Sequence, residues 1–375
     1  MVISVSPQSN SVALPKSPES SVQVELTQTL PGFVLEPTQM FAHPSYLYDI
    51  YKEGIEQIYF PEKEILDAQV TVKVQTGYTN PRQFGSWRWR AYRWAMTALR
   101  EIPAVDCTGT FILDARSDAD GHIGHILENY IIPIRFAEHL LSQHLGQLIK
   151  IHVVLRKTAT ALGRQVYDTL DVPVICTDEQ VYGNIVTITT DVANAKPNYM
   201  QALLALGLDL NFKGYNPNTP ERIFIPRRGK RQLKNNDAVT QYLEKRGFTT
   251  YYFEDLTPSE EWSITRNAKV IVAIHGAACS NFVFNQVGLQ PSSSKESGVR
   301  LLEIFSPAFV LPGYRYVAPL VNGRWCAVRG QVTPRLLQQL DFSNKPRNLH
   351  KSPMKDPFEV SLESLERALE YLGVD

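Results

Sequence analysis

The sequence predicts an α/β protein of two domains with parallel sheets covered on both faces. Three observations predict it. At 375 residues the chain is long for one domain, and its 43% hydrophobic content is ample for two cores. Strand-like runs alternate with helix-like runs in both halves of the chain, which implies parallel sheets. Between the two sets lies "LGLDLNFKGYNPNTPE", rich in Asn, Gly and Pro, which reads as a linker at 206–220. The expected organisation is a disordered tail over 1–25, an N-terminal domain over 26–205, the linker, a C-terminal domain over 221–345 and a helical extension over 346–375.

The elements follow in order. "MVISVSPQSNSVALPKSPESSVQ" lacks the basic and apolar segments of a signal peptide and reads as the tail. "TFILD", "IKIHVVL", "VPVIC" and "NIVTITT" read as strands of the first domain. Between the first two, Ile123, Ile126, Leu127, Tyr130, Ile131 and Ile134 recur at helical spacing, and Pro133 should kink or divide that helix. In the second domain "RIFIP", "TTYYF", "VIVAI" and "RLLEIF" read as strands. "NDAVTQYLEKRG" is a helix with Val239, Tyr242 and Leu243 on one face and Gly247 where a C-terminal cap belongs. Thr257-Pro258-Ser259-Glu260 is a capping box with proline at the first helical position. "SLESLERALEYLG" closes the chain as an amphipathic helix with Leu362, Leu365, Leu369 and Leu372 on one face.

The most informative stretch is "KVIVAIHGAACSNFVF", residues 269–284. A buried strand ends in His275 and then turns through Gly276, Ala277 and Ala278, which let a ligand approach the backbone. In open α/β sheets, ligands bind beyond the C-terminal strand ends, and a helix starting there offers free N–H groups to an anion. Diphosphate binding is one reading; a tight strand–helix turn with a satisfied histidine is the other. There is no GxxxxGK[ST], and no GxGxxG at this turn. "IFIPRRGKRQLKNND" places Arg227, Arg228, Lys230, Arg231 and Lys234 after a neighbouring strand, as phosphate ligands or as a solvated basic turn. Glu303, inside an apolar strand, bonds either a ligand hydroxyl such as a ribose or a neighbouring backbone group.

These residues resemble glycosyltransferase family 61. Arg227, Arg231, Asn236, His275, Gly276, Ala277, Asn281 and Glu303 stand at matching positions. Asp237 replaces the usual Glu, and Cys279 a larger apolar residue. Upstream, "DADGHIGHILENYIIPIR" is similar to the family's N-terminal segment, with His125 and Glu128 in place and His122 where an aromatic-rich stretch is usual. The resemblance implies a GT-B-like fold of two Rossmann-type domains facing a central cleft. It implies an inverting glycosyltransferase, hexosyl or pentosyl, acting on a glycan or other hydroxyl acceptor. The donor is expected to be a nucleotide sugar, UDP-linked, bound by the C-terminal domain through Arg227, Arg231, His275, Gly276, Ala277, Asn281 and Glu303. His125 and Glu128 are the expected catalytic pair, His122 stands on the acceptor side, and neither cofactor nor metal is expected. For the base, His125 has the better unperturbed pKa near neutrality; Glu128 would then orient it. The same His122, His125 and Glu128 also read as an incomplete metal site or as structural residues.

Other classes are narrowed by composition. Lys plus Arg equals Asp plus Glu, 38 each, so no nucleic-acid partner is indicated and any anion site must be local. Cys107, Cys176, Cys279 and Cys326 form no CxxC pair. No apolar run approaches a membrane span, so a cytoplasmic protein is expected, with room for peripheral contact at a membrane's cytoplasmic face. Trp87, Trp89, Tyr92 and Trp94 could stack on sugar rings or be core. A sugar-nucleotide epimerase or hydrolase, and a non-catalytic nucleotide-sugar-binding protein, are the rival readings.

Overall fold

A computed structural model describes residues 22–42, 56–79, 104–116, 121–192, 195–205, 210–289, 298–333, 335–336 and 353–375. Most of the expected tail, the Trp87–Trp94 segment and most of "QPSSSKESG" lie outside these residues. In chain order the strands are β1 (Gln23–Leu30), β2 (Phe33–Leu35), β3 (Thr38–Ala42), β4 (Glu56–Phe60), β5 (Lys63–Ile65), β6 (Ala68–Tyr78), β7 (Ala104–Asp114), β8 (Ile151–Leu155), β9 (Val174–Cys176), β10 (Gln180–Thr190), β11 (Arg222–Ile225), β12 (Thr249–Thr250), β13 (Val270–Ile274), β14 (Arg300–Phe305) and β15 (Arg324–Arg329).

The chain forms two compact units. The first comprises Met1–Gly32 and Leu66–Lys213, the second Phe33–Ile65 and Gly214–Asp375. The change of unit at Lys213 and Gly214 falls within the stretch read as a linker. Three expected boundaries differ. Residues 23–25 open strand β1 instead of ending a tail. The segment 33–65 leaves the first unit: β3 pairs in parallel with β15, Ala327 opposite Met40, and β4 pairs back on β3. Such pairing across nearly the whole chain leaves no local mark in the sequence. The C-terminal helix, Leu362–Leu372, is no extension, because Leu365, Leu369 and Leu372 bury themselves in the second unit's core. Each such side chain contributes about 1.5–3 kcal/mol.

The first unit holds a sheet ordered β1-β6-β10-β7-β8-β9. Strands β10, β7, β8 and β9 are parallel, while β6 and β1 extend the edge antiparallel. An α/β architecture results, with mixed sheets instead of purely parallel ones. The long helix is divided as expected. Ile123–Ile126 and Ile132–Leu145 are α-helical, and Leu127–Ile131 between them is a π turn. Pro133 has no N–H to give and crowds the preceding turn, which widens to accommodate it. Gly146, at φ 66°, caps the end.

The second unit holds a sheet ordered β12-β11-β13-β14-β15-β3-β4, parallel except for β4. Side chains alternate across it. Val272, Ile274, Leu302, Ile304, Cys326 and Val328 share a core with Val239 and Leu243 of the helix Asn236–Glu244 and with the C-terminal helix. Glu303 and Trp325 therefore lie on the opposite face. Gly247 takes φ 78° behind the helix Asn236–Glu244. The capping box forms, with the Glu260 carboxylate accepting from the Thr257 N–H at 2.8 Å. "TTYYF" keeps only Thr249–Thr250 as strand and passes into a 3-10 turn at Phe253–Asp255. No helix among the described residues is long and apolar enough to cross a membrane.

Candidate functional site

The second sheet reverses its winding between β11 and β13, since β12 lies to one side of β11 and β13, β14 and β15 follow on the other. Ligands of doubly wound sheets bind at such a reversal. Strand β11 runs into Pro226 and Arg227, and its parallel neighbour β13 runs into His275 and Gly276, with Ile225 beside Ala273. The arginine loop and the histidine turn therefore meet at the place where this topology opens.

His275 is held rigidly. Its N–H donates to the Ile304 carbonyl at 2.8 Å, and its ring Nδ1 lies 2.5 Å from Glu303 Oε1. Glu303 has no exposed surface, and its other oxygen accepts from Trp325 Nε1 at 3.0 Å. A carboxylate only accepts, so Nδ1 is the donor and Nε2 is the ring nitrogen left for a ligand. Phe305, Phe309 and Tyr314 surround the ring at centroid distances of 5.0, 5.2 and 5.9 Å. The sequence leaves Glu303 between a ligand hydroxyl and a backbone group, and the family resemblance sets it among the donor residues; in the structure its two oxygens go to His275 and Trp325, side chains of the same unit. Trp325 was not anticipated, because nothing local marks a strand-start tryptophan as the partner of a carboxylate 22 residues earlier.

The basic loop sorts into two kinds of cation. Arg228 is satisfied: Nη1 donates to both Asp255 oxygens at 2.7 Å, and the guanidinium lies 3.9 Å from the Tyr252 ring centre. Arg227 and Arg231 are half-buried, and among the described residues neither has a carboxylate partner. Arg227 makes only a 3.4 Å contact from Nη1 to the His275 carbonyl. Arg231, at φ 61°, carries its guanidinium over the Phe309 ring at 4.9 Å. Burial, and then the neighbouring Arg227 charge, push the Arg231 pKa below the usual arginine value. Two such cations side by side are costly until an anion joins them.

Gly276 is extended, at φ 171°, a conformation open to any residue. Space is what matters: a Cβ there would stand 2.2 Å from Arg227 Nη1. The close approach foreseen for a ligand is thus made by Arg227 itself. Ala277–Phe284 is a 3-10 helix and not the expected α-helix. Ser280 Oγ donates to the Ala277 carbonyl at 2.6 Å within that tight turn. Asn281 is fully buried beneath it: its Oδ1 accepts from Trp262 Nε1 at 3.1 Å and its Nδ2 donates to Glu261 Oε2 at 2.6 Å. Those bonds occupy both ends of its amide within the fold. Burial pushes the Glu261 carboxyl up to about 8, against the pull of the Asn281 bond. Burial likewise drives the Cys279 thiol well up, so it is packed and inert.

The first unit carries the other predicted residues. His122 and His125 are exposed, with ring centres 4.5 Å apart. Glu128, on the π turn, forms an ion pair with Lys196 at 2.7 Å and lines a cavity of about 540 Å³ with Tyr130, Thr187 and Tyr199. His125 is not among that cavity's lining residues. Glu128 stands on the π turn, whose wider pitch departs from the α-helical register that carries His125. Among the described residues no three His, Cys, Asp or Glu side chains are grouped to hold a metal ion.

Fold and site together define a doubly wound α/β unit with a cationic, histidine-floored site at its switch point. Residues 123–294, just under half of the chain, match the family model described as Glycosyltransferase 61. The matched region runs from the histidine helix through the arginine loop to the His275 turn. This similarity to glycosyltransferase family 61 supports glycosyltransferase as the enzyme class. Glu303 and Trp325 lie beyond the matched residues. No curated protein matches the chain.

Proposed function

We propose that the protein transfers a sugar from a nucleotide-sugar donor to a hydroxyl acceptor with inversion, as a GT-B enzyme whose second unit binds the donor diphosphate. The observation that carries this reading is the pair of half-buried arginines, Arg227 and Arg231, without carboxylate partners beside the His275–Glu303–Trp325 chain. Arginine forks match diphosphate oxygens, and an imidazole whose Nδ1–H is held by a buried carboxylate can, in its imidazolium form, donate from Nε2 to a developing negative charge. A UDP-linked sugar is the donor the family resemblance favours.

In the transfer, the acceptor oxygen bonds to the anomeric carbon opposite the leaving group. The bond from that carbon to the diphosphate oxygen breaks, its electron pair stays on the diphosphate, and the acceptor proton passes to a base. The cavity of the first unit moves our choice of base from His125 to Glu128, since a base must touch the acceptor and Glu128 lines that cavity. Lys196, 2.7 Å from Glu128, holds that carboxylate in place at the cavity wall. Leaving-group charge is met by side chains in this scheme, so no metal is called for. The free cysteines suit a reducing compartment, the cytoplasm.

The test is incubation with a panel of nucleotide sugars and hydroxyl acceptors, followed by NMR assignment of the new linkage. Inverted anomeric configuration is expected. Retention would overturn the mechanism, and donor consumption without any acceptor product would favour a hydrolase.

A further inference from the structure

The second unit has another cavity, of about 420 Å³, at the opposite edge of its sheet. The donor-site residues follow strand C-termini, whereas this cavity is lined by Thr38 at the start of β3 and by Arg324 and Trp325 at the start of β15. Arg315, Asn322, Tyr371 and Glu36 also line it.

Arg315 is the unusual member. The residue is only 7% exposed. Its Nη2 donates to the backbone carbonyls of Leu35, Glu36 and Pro61, the last at 2.7 Å. Its Nε is buried with no acceptor, and among the described residues no carboxylate pairs with it. Three carbonyls satisfy one nitrogen without neutralising the charge, whereas buried arginines are ordinarily paired. Burial pushes its pKa below the ordinary arginine value, and the Tyr371 and Tyr59 phenols face it. Arg324, which also lines the cavity, donates from Nη2 only to the Tyr371 carbonyl at 3.1 Å. Glu36 also lines the cavity, but it is exposed and sits at the rim. The wall therefore carries two guanidinium groups, a phenol and an amide, with the Glu36 carboxylate the one acidic group, around a space of about 420 Å³.

We infer that this cavity is a second anion site, separate from the proposed donor site, that takes a small oxyanion, a carboxylate or a phosphate, between Arg315 and Arg324. An acidic sugar or a phosphate group would supply that chemistry. Trp325 forms part of the wall, so its indole reports on occupancy.

The test uses the full chain carrying Arg227→Ala and Arg231→Ala, which silences the donor arginines, so failure of the donor reading leaves it intact. Inorganic phosphate and glucuronate are titrated separately by calorimetry and by tryptophan emission. Binding of at least one is expected in that background, weakened tenfold or more by adding either Arg324→Ala or Arg315→Lys. The lysine variant keeps a cation beneath the three carbonyls, and its unfolding temperature is measured alongside. Adding Trp325→Phe should abolish the emission change while calorimetric binding remains. Tighter phosphate binding assigns the site to phosphates, and tighter glucuronate binding to acidic sugars. If neither anion binds at millimolar concentration, or if Arg324→Ala and Arg315→Lys both leave binding unchanged, the inference is wrong.

Discussion

Glu303→Gln tests whether the buried carboxylate acts through His275. Glutamine keeps the volume but replaces one acceptor oxygen by an amide donor. Glu303 accepts from His275 Nδ1 at 2.5 Å and from Trp325 Nε1 at 3.0 Å, with no exposed surface through which water could substitute. One of the two donors must lose its acceptor, or His275 must change tautomer. A hydrogen bond to a charged group contributes about 1.5–3 kcal/mol, which corresponds to roughly 10- to 150-fold in affinity. Part of that loss falls on stability, so two assays are needed. Denaturant unfolding should show a fall of about 1–3 kcal/mol, and calorimetry should show nucleoside-diphosphate affinity reduced tenfold or more. Trp325→Phe should weaken binding by the same route, and the double variant should be less damaged than the sum of the singles, because the three groups form one network. If Glu303→Gln lowers stability yet keeps diphosphate affinity within twofold, the chain is structural and its assignment to the donor site fails.

Further outcomes follow from the same geometry. Gly276→Ala should fold with near-normal stability, since φ 171° suits alanine, but it should weaken diphosphate binding by displacing the Arg227 guanidinium; unchanged affinity would show that this position of Arg227 is not needed. For Glu261, burial raises the folded pKa from 4.5 to about 8, so between those values the folded state holds a proton that the unfolded state has released. Stability from this group is therefore fully present below pH 4.5 and is lost as pH rises toward 8, by at most about 1.4 kcal/mol per pH unit. Glu261→Gln should flatten that fall, and parallel stability–pH curves for the two proteins would contradict it. Glu128→Gln should lower turnover by about 10²–10⁴ with donor affinity nearly unchanged, and His125→Ala should cost less; the reverse order would return the base to His125.

Much of the second unit was legible because its signals are local. Strands β13 and β14 appear at the residues expected, since apolar runs, interrupted in β14 only by Glu303, end at a polar turn. Gly247 and the Thr257–Glu260 box were readable for the same reason: a cap is specified within four residues. The arginine loop and the histidine turn were also visible, and only topology was needed to bring them together. What escaped was long-range. Strand β3 joins β15 across some three-quarters of the chain, and Trp325 reaches Glu303 from a neighbouring strand. Asn281 looked like a ligand residue because a small polar side chain beside "HGA" fits either role. Its buried partners Trp262 and Glu261 lie 19 and 20 residues earlier and leave no mark beside it in the sequence. The π turn at Leu127–Ile131 also escaped, because the spacing shows a helix that Pro133 should kink or divide but not the form the break takes.

The central claim is that Arg227 and Arg231 hold the donor diphosphate in the second unit without help from a metal. Calorimetric titration of UDP in excess chelator addresses it most directly, using the unaltered protein, Arg227→Ala, Arg231→Ala and Glu128→Gln. Losing a charge-assisted bond of about 1.5–3 kcal/mol predicts at least tenfold weaker binding for each arginine variant. Affinity should be unchanged for Glu128→Gln, and chelator should have no effect. Equal UDP affinity across all four proteins, or binding that vanishes in chelator and returns with magnesium or manganese, would contradict the account.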